Sequence, residues 1–164
     1  MSTTADRAAL ARQESKAMKD TVASILKTKG SQCWCISPHA TVFEAIALMA
    51  EKRIGALMVV SEGRLAGIVS ERDYARKVIL KGHSSREMRV EEIMTSPAIK
   101  VTPENTVAQC MHIITDYRIR HLPVVDGECL VGVVSIGDIV SAVISAQADT
   151  IRHLNSYIAG EYPG

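Results

Sequence analysis

The sequence predicts an α/β protein built from two pseudo-symmetric β-α-β-β-α repeats, with a flanking helix at each terminus. The first observation is an ungapped repeat, because segments 36–80 and 101–145 are identical at 15 of 45 positions at an offset of 65 residues. The second is a helix capping box at the same point of each copy. The third is a pair of apolar, β-branched runs joined by a short polar turn in each copy. Two copies are too few for a solenoid, so we expect a paired module.

Each repeat begins with a short strand followed by a helix whose start is encoded locally. Segment 33–36 is the strand candidate of the first repeat. Thr41 and Thr106 are the predicted N-caps, because each is followed three residues later by Glu or Gln, the reciprocal partner of a capping box. We expect these two helices to run to about Lys52 and Tyr117.

The second half of each repeat is predicted to be a β-hairpin and a helix. The hairpin runs are apolar throughout rather than alternating, so both faces of the sheet should be covered. An apolar stripe at Ile151, Leu154 and Ile158 suits the last helix for packing on the body or on a partner subunit. The predicted spans are 56–60, 65–69 and 71–80 in the first repeat, 121–125, 130–134 and 136–146 in the second, and 17–29 and 149–158 for the flanking helices.

These elements divide the chain into five segments. They are an N-terminal tail and helix (1–31), the first repeat (32–82), a linker (83–93), the second repeat (94–146) and a C-terminal helix and tail (147–164).

Composition argues against several functions. The net charge is +1 and only 4% of residues are aromatic, so neither a positive field nor a stacking surface favours nucleic acid. No stretch approaches the 18 apolar residues of a membrane helix, so we expect no membrane partner. The N-terminus lacks the core of a secretory signal. We expect a cytoplasmic protein; the alternative is an organellar one, with the basic segment 1–30 as a transit peptide despite its three acidic residues.

The cysteines and histidines show no metal-ligand spacing. Cys33 and Cys35 form C-x-C rather than the C-x-x-C of zinc and redox sites. We expect reduced cysteines and no metal site, with a redox or metal role as the alternative.

The motif Gly-x-x-Ser-x-x-Asp ends the hairpin and opens the next helix in both repeats. It contains Ser70 and Asp73 in the first copy and Ser135 and Asp138 in the second. A helix N-terminus favours phosphate, the serine hydroxyl adds a donor, and a carboxylate can accept from both hydroxyls of a ribose. The motif therefore suits a nucleotide. Ser-x-x-Asp is also a capping box, so a purely structural role is the alternative.

The long repeat, the strand and helix order and the twice-occurring motif resemble a tandem pair of CBS domains, a Bateman module, over about residues 32–146. The chain is especially similar to stand-alone CBS-pair proteins of bacteria and plant organelles. The resemblance implies a regulatory module that binds AMP, ADP, ATP, NAD or S-adenosylmethionine in clefts between the copies. It also implies a homodimer that has no catalytic cofactor. This homodimer would signal in trans to a separate protein target, which the sequence does not identify.

The resemblance also implies the roles of the site residues. The aspartates would hold the ribose, and the serines, where family members more often have threonine, would contact phosphate. The adenine would lie against apolar residues and backbone of the first strand and the hairpin. Those residues are Ile36, Ala56, Met58 and Ile68 in the first copy and Val101, Pro123 and Val133 in the second.

The copies differ in their cationic side chains. Arg72 follows the serine of the first copy, whereas Arg120 and His121 replace Gly55 and Ala56 in the second. In a pseudo-twofold pair, the cations of one copy could serve the phosphate of the other. The alternative is that the arginines are solvated surface charges.

Enzymatic activity is not expected, because the chain has no nucleophile elbow, no Walker loop and no dinucleotide fingerprint. Two other functions remain open. One is a structural dimerisation module with vestigial clefts. The other is a redox regulator that acts with a thioredoxin-type partner, which rests on similarity to plant relatives alone.

Overall fold

A computed structural model of the protein describes residues 18–158, together with Thr4 and Arg7. Expectations for the rest of segment 1–17 and for residues 159–164 lie outside the described residues. The chain divides into two compact units. The helical unit comprises Met1–Lys29, Pro103–Arg120 and Val134–Gly164, and the sheet unit comprises Gly30–Thr102 and His121–Val133.

The strands form two small sheets. Strands β1 (Cys35–Ile36), β2 (Ala56–Ser61) and β3 (Arg64–Ser70) make a three-stranded sheet, and β4 (His121–Asp126) and β5 (Cys129–Ser135) make a two-stranded one. Strand β1 pairs with β2 in parallel, and β2 pairs with β3 in antiparallel. Most of β2 and β4 is buried, as their continuous apolar runs predict.

The helices start where the sequence places their caps. Helices α1 (Val22–Lys29), α2 (Val42–Lys52), α3 (Glu71–Tyr74), α4 (Val107–Tyr117) and α5 (Ile136–Ile158) follow in chain order. The Thr41 Oγ1 accepts from the Glu44 backbone N–H at 3.1 Å, while the Thr41 N–H donates to Glu44 Oε2 at 2.8 Å. Thr106 and Gln109 repeat both bonds at the start of α4. The two predicted capping boxes are confirmed.

The segment before the second repeat completes the first one. Residues 88–91 run beside the start of α2, where the Val42 N–H donates to the Met88 carbonyl at 2.9 Å. The Glu91 N–H donates to the Pro38 carbonyl at 3.0 Å. A short 3₁₀ helix at Val90–Glu92 follows.

Residues 20–23, which precede the first repeat, complete the second repeat in the same way. In the helical unit, the Val107 N–H donates to the Asp20 carbonyl at 2.8 Å, and the Ala23 N–H donates to the Pro103 carbonyl at 2.9 Å. Val107 and Pro103 are the counterparts of Val42 and Pro38 at the 65-residue offset. Each repeat is thus completed by the lead segment of the other, that is, by the residues that precede that other repeat, and no local pattern in the sequence indicates this exchange.

Five predicted elements differ from the structure. The helix expected at 17–29 begins at Val22 in its continuous part, and the strand expected at 33–36 is reduced to Cys35–Ile36. The helix expected at 71–80 is α-helical only to Tyr74 and continues as a π-helix over Ala75–Ile79. The helices expected at 136–146 and 149–158 are one helix, α5, because the residues between them include no Gly or Pro to stop it.

The first strand of the second repeat is very short. Among the described residues it amounts to one parallel bridge between Val101 and Val124. The Val101 N–H donates to the Pro123 carbonyl at 2.9 Å, and its carbonyl accepts from the Val125 N–H at 2.9 Å. One residue therefore occupies the place that β1 takes in the first repeat.

Each unit has its own buried apolar side chains. In the sheet unit, Met49, Leu57 and Ile93 are among the largest of them. In the helical unit, Val22 and Val107 are fully buried. None of the described helices combines the length and apolar character that a membrane span needs.

Candidate functional site

Ser70 and Asp73 lie at the start of α3 and bind each other reciprocally. The Ser70 N–H donates to Asp73 Oδ2 at 2.9 Å, and the Ser70 hydroxyl donates to the same oxygen at 3.0 Å. The Asp73 N–H donates to Ser70 Oγ at 3.2 Å. The capping box that the sequence allowed as an alternative is therefore present. It holds both side chains in one place at the helix N-terminus, where backbone N–H groups favour anions.

The three-stranded sheet brings the predicted adenine wall of the first repeat together. Ala56 on β2 lies opposite Ser70 on β3, and Met58 lies opposite Ile68. Ile36 on β1 pairs with the neighbouring β2 residue. Ala56 and Met58 are buried, whereas Ile36 and Ile68 are partly exposed. The partly exposed side chains are thus the ones that a ligand can reach without rearrangement.

His121 of the second repeat lies beside the α3 N-terminus of the first. A β-carbon on Gly55 would be 3.6 Å from Cε1 of His121 and 3.8 Å from Oε2 of Glu71. The Glu71 N–H donates to the Gly55 carbonyl at 3.0 Å. Arg72 is partly exposed on the same turn. A ring from one copy therefore lies next to the predicted phosphate-binding turn of the other.

In the helical unit, Ser135 and Asp138 repeat the arrangement at the start of α5. The Ser135 N–H donates to Asp138 Oδ2 at 2.8 Å, and the Asp138 N–H donates to Ser135 Oγ at 3.2 Å. The Lys29 ammonium donates to the same Oδ2 at 2.6 Å. Partial desolvation raises the pKa of Asp138, but the bonds from Lys29 and Ser135 outweigh it and lower that pKa below the ordinary aspartate value. The carboxylate is thus ionised at neutral pH.

The other predicted residues of the second repeat lie on its two strands and at the entry to them. Val101 and Pro123 are buried, and Val133 on β5 is partly exposed. Arg120 is exposed, and its carbonyl accepts from the Ile136 N–H at 2.9 Å. This bond is the counterpart of the one between Glu71 and Gly55 in the first repeat.

Two lysines that lie at these helix starts were not among the residues predicted from the sequence. Lys77 lies 3.1 Å from Asp73 Oδ1 and donates to the Ile93 carbonyl at 2.7 Å. Its spacing of four residues from Asp73 is a helical ion-pair signal that could have been found. Lys29 is 109 positions from Asp138, and no local pattern predicts their pairing.

The comparison with protein families decides the classification. The CBS domain family matches this chain twice, over residues 22–80 and 90–145. The chain belongs to the CBS domain family. Both matches begin with the exchanged lead segments, so the family unit includes them.

Individual relatives agree with this assignment. The Arabidopsis thaliana protein named "CBS domain-containing protein CBSX3, mitochondrial" is 42% identical over 160 residues, which cover 92% of this chain and 77% of that protein. A solved structure of a protein with CBS domains from Burkholderia ambifaria has a TM-score of 0.74 at 52% identity. That match covers 76% of this chain and 94% of the other. A hexameric CBS-CP12 protein from bloom-forming cyanobacteria has a TM-score of 0.67 at 35% identity, over 74% and 70% of the two chains. These matches confirm the α/β CBS-pair fold.

The cysteines of this CBS pair are free thiols in the part of the chain that the structure describes. Cys35 on β1 is exposed and hydrogen-bonds Cys33. Desolvation and the neighbouring Cys33 raise the pKa of Cys35 to about 11, so it is a protonated thiol at neutral pH. No three His, Cys, Asp or Glu side chains among the described residues are grouped to hold a metal ion.

Proposed function

We propose that this CBS pair is a regulatory module that binds an adenosine nucleotide and passes the bound state to a separate protein target. Candidate ligands are AMP, ADP, ATP, NAD and S-adenosylmethionine. Membership of a family of regulatory modules supports the proposal. So does the presence of a serine and an aspartate at the same helix start in both repeats.

One observation within the chain favours binding over capping alone. At the start of α2 and α4 the reciprocal partner has changed from Glu44 to Gln109, so capping tolerates the loss of a charge there. At the other pair of helix starts both copies keep aspartate, Asp73 and Asp138. A carboxylate that accepts two ribose hydroxyls needs its negative charge for strength, whereas a cap needs only an oxygen.

The proposed mechanism follows from charge. A phosphate drawn to the α3 N-terminus would meet backbone N–H groups, the Ser70 hydroxyl and the side chains of Arg72 and His121. Since His121 belongs to the other repeat, a ligand there would contact both copies. Its effect on shape is limited by the difference in its affinity for the two shapes. No step of this mechanism requires catalysis.

The test is a calorimetric titration of the protein with each candidate ligand. Micromolar binding corresponds to about −8 kcal/mol. The double variant Asp73→Asn, Asp138→Asn keeps the capping oxygens and removes both charges, so it should lose nucleotide binding and remain folded. Glu44→Gln is the matched control, because it makes the same change at a cap away from the site and should bind normally. Unchanged affinity in the double variant would overturn the site assignment.

A second candidate is a dimerisation module, and the exposed face of α5 favours it. Ile136, Val140, Ile144 and Ile151 are 44%, 49%, 58% and 56% exposed, and the first three are spaced by four residues on one helix face. We propose that this face forms a homodimer. The hexameric CBS-CP12 protein shows that a relative assembles. Light scattering should give a dimer for the wild type and a monomer for Val140→Glu; a wild-type monomer would count against the proposal.

A redox role with a thioredoxin-type partner is less well supported, because Cys35 is a protonated thiol at neutral pH.

The Arabidopsis relative is named as mitochondrial. This name supports an organellar location over a cytoplasmic one. A fusion of residues 1–31 to a fluorescent protein tests the location, and diffuse cytosolic fluorescence would favour the cytoplasm.

A further inference from the structure

Asp138, the carboxylate proposed to hold the ribose in the second repeat, is paired with an ammonium group from outside that repeat, that of Lys29. Lys29 is the last residue of α1, and the next residue, Gly30, ends the helix with φ of +94°. The Lys29 Nζ lies 2.6 Å from Asp138 Oδ2. The two side chains are 32% and 22% exposed, so the pair is accessible to a ligand.

The first repeat holds its aspartate differently. Lys77 belongs to the same helical segment as Asp73 and is also tied to the Ile93 carbonyl. Its counterpart in the second repeat, 65 residues on, is Ala142, which carries no charge. The second site therefore takes its cation from α1, on the flexible four-carbon side chain of a lysine.

We propose that Lys29 makes the second site selective for phosphorylated adenosine over adenosine itself and over S-adenosylmethionine. This proposal rests on the proposed function. Asp138 Oδ2 already accepts from the Lys29 ammonium and the Ser135 N–H. If the diol of unphosphorylated adenosine places one hydroxyl on each carboxylate oxygen, it competes with the ammonium for Oδ2, and adenosine offers that ammonium no anion in return.

A phosphorylated ligand changes this balance. Its diol displaces Lys29 in the same way, but its phosphate is a new anionic partner for the released ammonium. S-adenosylmethionine carries a sulfonium cation where AMP carries its phosphate. Its carboxylate is accompanied by an ammonium group, so its net positive charge is repelled by the released Lys29. The lysine thus favours phosphate and opposes ligands that lack it.

The test uses calorimetry on protein that carries Asp73→Asn, so that only the second site retains its carboxylate. AMP, adenosine and S-adenosylmethionine are titrated into this parent and into the same protein with Lys29→Met. We expect the variant to bind adenosine more tightly and to show at least a roughly fivefold smaller preference for AMP over adenosine. Lys27→Met removes a charge from the same last turn of α1 and is the matched control; its preference should equal that of the parent.

The outcomes separate the two proposals. If the parent binds AMP and Lys29→Met leaves the preference unchanged, the role of Lys29 is wrong and the proposed function stands. If neither the wild type nor the parent binds any nucleotide, both proposals fail. A loss of preference in Lys27→Met equal to that in Lys29→Met would show a general charge effect and would also overturn the role of Lys29.

Discussion

Gly67 on β3 is the position where an added methyl group should do most damage. Its β-carbon would lie 2.6 Å from the Thr95 carbonyl oxygen and 3.1 Å from the Met94 sulfur. Thr95 cannot retreat freely, because its N–H donates to the Ile68 carbonyl at 2.8 Å and its carbonyl accepts from the Ile68 N–H at 3.1 Å. Ordinary contact begins near 3.4 Å and requires the oxygen to move by roughly 0.8 Å, which strains these bonds.

We therefore expect Gly67→Ala to lower the free energy of unfolding by about 2 kcal/mol, the usual range for overpacking a core. For a chain of this size that is a fall of about 4–8 °C in Tm. Gly137→Ala is the matched control. Its β-carbon would meet only Ser135 Oγ, at 3.5 Å, and alanine favours the helix by about 0.5–1 kcal/mol.

Urea and thermal denaturation of both variants measure this difference. Gly67→Ala should lower the stability of the protein, and Gly137→Ala should raise it slightly. If Gly67→Ala were as stable as Gly137→Ala, the close approach of Thr95 to β3 would be wrong. The inference that Thr95 holds Ile68, a residue of the proposed adenine wall, in place would then be wrong as well.

The remaining predictions concern a helix end and two titrating groups. Arg53 ends α2 with φ of 56°, a left-handed conformation that costs a non-glycine residue about 1 kcal/mol, so Arg53→Gly should raise Tm; a fall would contradict this. The pKa of Asp138 is lowered in the fold, so its stabilisation is full above the ordinary value near 4 and is lost as pH falls through the lower folded pKa. Lys29→Met should raise that pKa in a carboxyl NMR titration, and an unchanged pKa would show that the pair does not form. Alkylation of Cys35 by iodoacetamide should keep accelerating up to about pH 11. Cys33→Ser should shift that curve to lower pH, and a plateau near pH 8.5 in the wild type would refute the raised pKa.

Features encoded within a few residues were predictable from the sequence. Thr41 with Glu44, and Ser70 with Asp73, are capping boxes three residues apart, so the pattern contains both partners of each bond. The hairpins were predictable for the same reason, since apolar runs and a polar turn are contiguous. For the candidate site, this placed both serine–aspartate pairs at the correct helix starts.

Features that depend on distant segments were not predictable. The 65-residue repeat suggests that each copy is complete in itself, yet Asp20 bonds the start of α4 and Met88 bonds the start of α2. The shortened strand at Val101 and the π-helix after Tyr74 likewise reflect packing that periodicity does not report. One error was local: the break expected near Ala146 had no Gly or Pro to support it.

The exchange of lead segments gives the two pseudo-equivalent sites different chemistry. Because α1 finishes the second repeat, its last residue, Lys29, can reach Asp138. The segment that finishes the first repeat instead offers a backbone carbonyl, that of Ile93, which binds Lys77. Each aspartate therefore has a lysine, but Lys77 comes from the first repeat itself, whereas Lys29 comes from α1, outside the second repeat. The repeats keep the same carboxylate, but the cation that it faces comes from the repeat itself in the first copy and from α1 in the second. For this reason we expect the two sites to differ in affinity and in ligand preference, even though their motifs are identical in the serine and the aspartate.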